Sequence, residues 1–571
     1  MKKRRKKKKM RRSLIPALVA MTLILLILAA SAGMFLYQRY SYSDEQADLN
    51  AYFGLSASDE VAIVYENGIA EEKGILQEGR CYLDLDTVHA YLNDRFYVDY
   101  NEELLLYTLP DEVVRIGLGE RTEDGYVAAF ERDGSAWIAL DYVKRYSDFN
   151  FTLYTEPNRV VLETSWDEIQ AAELRKDTAV REKGGVKSSV LTQALKGNRV
   201  AVLEEMENWD RIITEDGYIG YVEKKRLTEP EASMPEKDTG YTAPDYTGNV
   251  RDHKINLAWH QVTTAAANST FPGVVENVTG INVISPTWFF LYDNEGTVES
   301  IASREYVDEA HERGLEVWAL VDDFTHSADN GVDTKEVLSY TSKRAKVIET
   351  LMSEAETYGL DGINVDFEKV SQDAGQDYIQ FIRELSVECR SRGLVLSVDN
   401  YVPRNFNAHY EWKEQGVMAD YVIIMGYDEH WAGGEEAGSV ASIGYVEEGI
   451  QKMVEEVPAN KVINAVPLYT RIWTTSPEGA VSSRAVGIQA ASDFLTQNGV
   501  AYSWDESTAQ NYAEFDTPEG LCQVWLEDEQ SLAAKVEAMK RYGLGGIAAW
   551  KLGFDEGREN IWSVIAGFLA D

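Results

Sequence analysis

The chain has 571 residues, more than one core needs, and a prior of about 150 residues per domain divides it into roughly four segments. Its 44 % hydrophobic and 11 % aromatic content excludes a disordered chain. The net charge of −40 excludes a phosphate backbone as a natural partner, so no nucleic acid is expected.

That charge is uneven. Residues 1–12, MKKRRKKKKMRR, hold ten of the 55 Lys and Arg and no acid, which leaves −50 for the rest. Residues 13–38 carry no charge, enough as a helix to cross a hydrocarbon core of ~30 Å. A basic flank before such a run predicts a cytoplasmic tail over 1–12, a transmembrane helix or uncleaved signal anchor over 13–38, and the acidic body outside. The small residues of AASAG around Ala32 keep a second reading open, a cleaved signal peptide with the body secreted or in the wall. Cys81, Cys389 and Cys522 are too scattered for a disulfide framework or a CxxC metal site. Neither a metal nor a cofactor is expected.

Residues 58–165 alternate short strands with a helix and a hairpin turn at 156–158. This α+β pattern resembles the copper amine oxidase N-terminal-like domain of bacterial envelope proteins, which implies a spacer or wall-binding module. No oxidase is implied, because none of the seven His residues forms an H-x-H pair. Over 175–227 the chain changes to five short strands with Gly turns, and VREKGGVKSSVL, KGNRVAVL, NWDRI and DGYIGYV follow one another in that order. They resemble a bacterial SH3-like domain, which implies a small β-barrel that binds cell-wall peptide or glycan. Residues 228–249, rich in Pro, Thr, Gly and Glu, read as a linker.

From 250 to 571 eight apolar runs alternate with helical stretches: 255–262, 280–291, 315–324, 362–368, 394–401, 420–428, 461–469 and 546–552. Eight such strands predict a parallel sheet covered on both faces and closed as a (β/α)8 TIM barrel. The fold class is thus α/β, a C-terminal barrel preceded by the SH3-like barrel and the α+β module, with the N-terminal transmembrane helix. The open doubly wound alternative lacks a G-x-G-x-x-G after any strand.

The run GLDGINVDFEKV, 359–370, sets Asn364, Asp366 and Glu368 two apart. Successive strand residues face opposite ways, so these three point into the barrel, with Glu368 nearest the C-terminal end where barrel proteins collect their functional groups. A carboxyl raised by burial and a neighbouring like charge suits protonation of a leaving oxygen, which makes Glu368 the candidate acid and Asp366 its electrostatic partner. The chemistry this pair suggests is that of a glycosidase, but two carboxylates about 6–7 Å apart along one strand cannot flank a sugar ring from opposite faces, so a nucleophile must come from elsewhere.

LDGINVDFE resembles the D-G-x-D-x-D-x-E signature of family 18 glycoside hydrolases, the chitinase-like enzymes. The resemblance implies that the substrate's own 2-acetamido oxygen is the nucleophile. Glu368 would then serve as acid and afterwards base, Asp366 and Tyr427 would hold the acetamido group, and Asp361 and Asn364 would line the substrate with them. Three further stretches match the family in order: MGYD, implying Asp428 beside Tyr427; PLYTRIW, implying Tyr469 and Arg471 in the cleft; and GGIAAW, implying Trp550 as the floor beneath the sugar. Asn364 stands where chitinases carry the middle aspartate. With MGYDEHW it looks like the subgroup of spore-cortex-lytic and peptidoglycan N-acetylglucosaminidases, in which Trp431 and its neighbours Glu429 and His430 would shape the subsites. The implied function is cleavage of β-1,4-linked N-acetylglucosamine in peptidoglycan-type cell-wall glycan. A chitinase acting on chitin oligosaccharides and a non-catalytic glycan-binding protein are the alternatives. Trp288, Tyr292, Tyr401 and Trp473 near strand ends read first as core packing, and Asp322, Asp323 and His326 fit no metal-ligand spacing.

Overall fold

The computed structural model describes residues 6–556 and 558–570, so the first five residues of the basic tail lie outside it. Helix Lys6–Tyr40 contains the apolar stretch Ile15–Tyr40, whose mean hydropathy of 2.5 and 26 residues are enough to cross a membrane. The chain divides into two compact units, residues 1–94 with 118–243, and residues 95–117 with 244–571.

The first unit holds two seven-stranded sheets. One is built from strands between Glu60 and Glu163, and its last hairpin pairs Asn150–Tyr154 with Arg159–Glu163 around the expected turn. The other contains the five strands read from 175–227: Thr178–Arg181, Val190–Ala194, Arg199–Glu204, Trp209–Thr214 and Ile219–Glu223. Alternate residues of these strands, among them Val180, Val200, Ile212 and Val222, meet in one small core.

The second unit is organised by eight parallel strands: Ile255–His260 (β1), Val283–Leu291 (β2), Glu316–Asp322 (β3), Gly362–Asp366 (β4), Val395–Tyr401 (β5), Tyr421–Met425 (β6), Val462–Pro467 (β7) and Gly546–Trp550 (β8). β1 pairs with both β2 and β8, which closes the barrel. All eight fall within the runs read from the sequence.

Side-chain alternation sorts two cores. Ile363, Val365 and Phe367 point outward into the layer beneath the helices, where Phe367 stacks on Phe381 at 5.4 Å. Leu257, Trp259, Trp318 and Tyr421 point inward and fill the lower barrel. Helix Thr341–Tyr358 (α1) ends at Gly359 in the left-handed region (φ 74°), which turns the chain straight into β4. At the start of β4, a Cβ on Gly362 would stand 2.7 Å from the Val395 carbonyl oxygen and 2.9 Å from the Trp318 ring, so glycine is needed there.

Two additions were not legible as part of this unit. A five-stranded antiparallel sheet, from Tyr469–Thr475 to Gly520–Leu526, is inserted between β7 and β8 with helix Ile488–Gln497 packed on it. Segment 95–117, which lies inside the range 58–165, forms a three-stranded sheet that packs on α1 and on helix Gly375–Arg392 (α2). Polar contacts fix it there: Asp99 accepts from the backbone N and Oγ1 of Thr341, both at 2.6 Å, and the Tyr97 hydroxyl donates to Asp377 at 2.5 Å. Fully buried Arg344 bridges to Glu384 at 2.9 Å and also donates to the Tyr97 oxygen, so its charge is paired and hydrogen-bonded.

Candidate active site

Inward-facing residues form layers that become polar toward the C-terminal end of the strands. The lowest is apolar, with Trp318 and Tyr421 stacked at 5.4 Å. Above it sits Asn364, fully buried. Its Oδ1 accepts from Trp259 Nε1 at 2.9 Å and from Ser285 Oγ at 3.1 Å, and its Nδ2 donates to Ser397 Oγ at 3.0 Å and Asp399 Oδ1 at 2.8 Å. Side chains from β1, β2 and β5 thus converge across the barrel on one amide, whose two donors and acceptor no other small side chain combines.

The next layer holds Asp322, Asp366 and Asp399, all buried. Asp366 Oδ1 is buried and accepts no hydrogen bond. Burial, then the like charges of Glu368 and Asp399, push the Asp366 carboxyl well above the usual carboxylate range. Burial also raises Asp399, against which the bond from Asn364 acts.

Glu368 lies two residues past the end of β4, partly buried at the barrel mouth. Its backbone N donates to Asp323 Oδ1 at 2.8 Å, and that of Lys369 donates to Asp323 Oδ2 at 3.0 Å. Asp323 also accepts from Thr334 Oγ1 at 2.6 Å, so one buried carboxyl anchors the turn that carries Glu368. Burial raises the Glu368 carboxyl, and the hydrogen bond donated by the Tyr401 hydroxyl to Oε2 draws it partway back. A raised acid beside a more deeply buried carboxyl is the arrangement proton transfer requires.

These groups open on a cleft of about 490 Å³ at the C-terminal face, lined by Asp366, Glu368, Tyr401, Tyr427, Asp428 and Trp550 among others. Trp550 sits edge to face with Trp259, centroids 5.9 Å apart. Asp428 has a left-handed backbone (φ 57°) shortly after β6 and accepts from the Tyr469 hydroxyl at 2.5 Å. A non-glycine residue held in that region beside a cleft marks a site where local strain is tolerated.

The structure therefore brings together Asn364, Asp366, Glu368, Tyr427, Asp428 and Trp550, with Tyr469 joined through Asp428. It does not bring in three others. Asp361 precedes β4 at the opposite end of the barrel, where its Oδ2 bonds His311 Nε2 and the backbone N of Val317, both at 2.8 Å. Arg471 lies on the inserted sheet, donating to Ser483 Oγ at 3.2 Å, outside the cleft lining. Trp431, 57 % exposed, stands in the loop beyond Asp428, also outside that lining. Of the aromatics read as core packing, Trp288 and Trp473 are buried, whereas Tyr401 lines the cleft. Sequence reasoning missed Asp399 and Ser397. The signal was present in LVLSVDNY, whose Ser397, Asp399 and Tyr401 repeat the two-residue polar period of β4. Asp323 was noticed only as an unsuited metal ligand. Among the described residues no cluster of His, Cys, Asp and Glu is arranged to hold a metal ion.

Comparison with known proteins adds two family matches. Residues 328–555 match the family described as Glycosyl hydrolases family 18, and residues 176–228 match the bacterial SH3 domain. The cortical fragment-lytic enzyme of Bacillus anthracis is 31 % identical over 229 residues, 38 % of this chain and 53 % of that protein. The chain thus spans about half the length of that relative. The uncharacterised glycosylase YvbX of Bacillus subtilis (strain 168) is 24 % identical over 348 residues, 59 % of this chain and 93 % of that protein. A C-terminal domain solved from Desulfitobacterium hafniense DCB-2, 18 % identical, superposes with a TM-score of 0.50 over 56 % of this chain and 100 % of that domain, which shows a shared barrel fold. This chain accordingly carries a glycosyl hydrolase family 18 domain and, ahead of it, a bacterial SH3 domain.

Proposed function

We propose that the barrel is a retaining glycosidase that cleaves β-1,4-linked N-acetylglucosamine in peptidoglycan-type glycan, using the substrate's acetamido oxygen as nucleophile. The observation that carries this reading is the buried, unpartnered Oδ1 of Asp366 beside a raised Glu368. An acetamido N–H is a donor that would satisfy that oxygen, and binding it would aim the amide carbonyl at the anomeric carbon.

In the first step Glu368 gives its proton to the glycosidic oxygen and the bond from C1 to that oxygen breaks. The acetamido carbonyl oxygen bonds to C1, giving an oxazolinium whose positive charge faces Asp366. In the second step water adds to C1, its proton passes to Glu368, and the oxazolinium opens with overall retention. Tyr427 would donate to the carbonyl oxygen, Trp550 would form the floor, and Asn364 would act from below, on Asp399 and the barrel wall. The similarity to a cortical fragment-lytic enzyme and the SH3 domain both favour wall glycan over free chitin. The apolar helix with its basic flank would place the N-terminus in the cytoplasm and the barrel outside.

Glu368→Gln keeps shape and removes the proton. With purified peptidoglycan and chitin oligosaccharides digested side by side, we expect the wild type to release reducing ends faster from peptidoglycan and the variant to be slower by about 10³-fold. Equal rates for the two proteins would refute the assignment of Glu368.

A further inference from the structure

Glu368 is held at both ends. Asp323 fixes its backbone, and the Tyr401 hydroxyl donates to Oε2 of its side chain. Tyr401 is the last residue of β5, lines the cleft and is 38 % exposed, so it is reached by whatever enters the cleft. It follows Ser397 and Asp399 on the inward face, which sets its ring over the barrel mouth rather than under the helices.

We propose that Tyr401 is a positioning residue for Glu368, one that occupies Oε2 as an acceptor so that the transferable proton is carried on Oε1. This rests on the reading of Glu368 as the acid. A neutral carboxyl has one O–H, and the oxygen that accepts from a phenol is the one without it. When the proton leaves Oε1 for the glycosidic oxygen, the same phenol donates to a carboxylate, and a hydrogen bond to a charged acceptor is the stronger kind. The bond therefore tightens as the reaction proceeds and relaxes when Glu368 regains a proton from water in the second step.

The surroundings make that donor matter. Asp366 faces Glu368 from β4, Asp322 and Asp323 from the end of β3, Asp399 from β5, Tyr410 from the segment after β5, and Tyr427 and Asp428 from the loop after β6. Apart from Lys369 next to it in sequence, these groups are acids and phenols, so the anion form of Glu368 leans on Tyr401. Burial and the neighbouring acids hold the phenol far above its ordinary pKa, so it remains a donor throughout the working range.

Two substitutions in the full-length protein move the bond in opposite directions. Tyr401→Phe deletes the donor, and 3-fluorotyrosine at 401 makes it a better one. The alkaline limb of kcat/KM reports the acid of the free protein. We expect it to rise by about one pH unit in Tyr401→Phe and to fall in the fluorinated protein. The Tyr401→Phe kcat should drop about tenfold at its own optimum with KM within about threefold. Carboxyl-13C titration of Glu368, assigned by its loss in Glu368→Gln, reads the same shifts without turnover. An alkaline limb and a 13C titration unmoved by both substitutions overturn the inference, whatever happens to kcat. If Glu368→Gln keeps full activity, it is the acid assignment that fails, and the titration still decides whether Tyr401 bonds Glu368.

Discussion

Strands β4 and β5 lie side by side in register, Asn364 beside Ser397, and both send a polar side chain inward at every second position. β4 contributes Asn364, Asp366 and, just beyond its end, Glu368. β5 contributes Ser397, Asp399 and Tyr401. The two differ in where their hydrogen bonds go. All three β5 groups bond to β4 or the turn that follows it: Ser397 and Asp399 accept from Asn364, and Tyr401 donates to Glu368. On β4 one oxygen, Asp366 Oδ1, is left with nothing. Interior polar groups that satisfy one another are scaffold, and the one left over is the one a ligand has to satisfy.

That contrast is broken or sharpened first by exchanging charges. Asp366→Asn keeps shape but cannot ionise as the positive oxazolinium forms beside it, so kcat should fall about 10²- to 10³-fold. Asp399→Asn, with its partner Asn364 still able to bond an amide, should lose about tenfold at most. Steady-state kinetics with circular dichroism melts on both proteins decide the matter. Equal losses would erase the distinction between reacting and supporting strands.

The support from the other side of β4 is tested by pH. Burial raises Asp323 from the ordinary carboxylate value of 3.8 to about 6 in the folded protein. A folded-state value above the unfolded one means that the stabilising contribution is present at low pH and is lost as pH rises from about 4 through about 6, here roughly 3 kcal/mol. Asp323→Asn cannot ionise, and its Oδ1 can still accept from the Glu368 backbone N. Urea unfolding at pH 4.5 and pH 7 should show the wild type losing more stability over that interval than the variant, by about 2 kcal/mol, since part of the loss already lies below pH 4.5. A parallel decline in both proteins would place the titrating group elsewhere.

Much of this was legible in the sequence. The eight strands were readable because a strand buried on both faces is a short apolar run between turn signals, and the β4 constellation because carboxylates in such a run are costly unless used. The matching pattern on β5 was harder to see, since Ser397 and Tyr401 are unremarkable residues and their meaning lies in a register that only pairing supplies. The placement of 95–117 was hidden for a related reason. Its contacts to Thr341, Asp377 and Arg344 join residues over 240 positions apart, and no local pattern encodes them.

Asn364→Asp restores the residue type that chitinases carry and adds one more carboxyl group to a dry interior. Once ionised, the introduced carboxyl could not donate to Asp399, so the folded protein would hold a proton on it and its folded-state pKa would lie above the unfolded one. Its contribution to stability is then present at low pH, and stability relative to wild type should fall as pH rises from the unfolded value through the folded one. The gap should reach about 2 kcal/mol at pH 8, read from urea unfolding at pH 4, 6 and 8. A pH-independent gap would show that the introduced carboxylate finds a donor other than its own proton.

The smallest effect is expected from the one signature position that the fold keeps apart from the rest. Asp361 immediately precedes the same strand, but the rise of about 3.3 Å per residue puts it about 16 Å below Asp366. There its carboxylate bonds His311 and the Val317 backbone, which ties the base of β4 to β3 and to the helix before it. Asp361→Asn keeps an oxygen that accepts from Val317 and gives up the carboxylate charge beside the partly exposed His311 ring, which costs under about 1 kcal/mol. We expect kcat and KM within about twofold of wild type and a melting temperature lowered by a few degrees at most. A tenfold loss of kcat without loss of stability would mean that the base of β4 communicates with its mouth, and the separation between scaffold and reacting groups would have to be drawn along the strand rather than between strands.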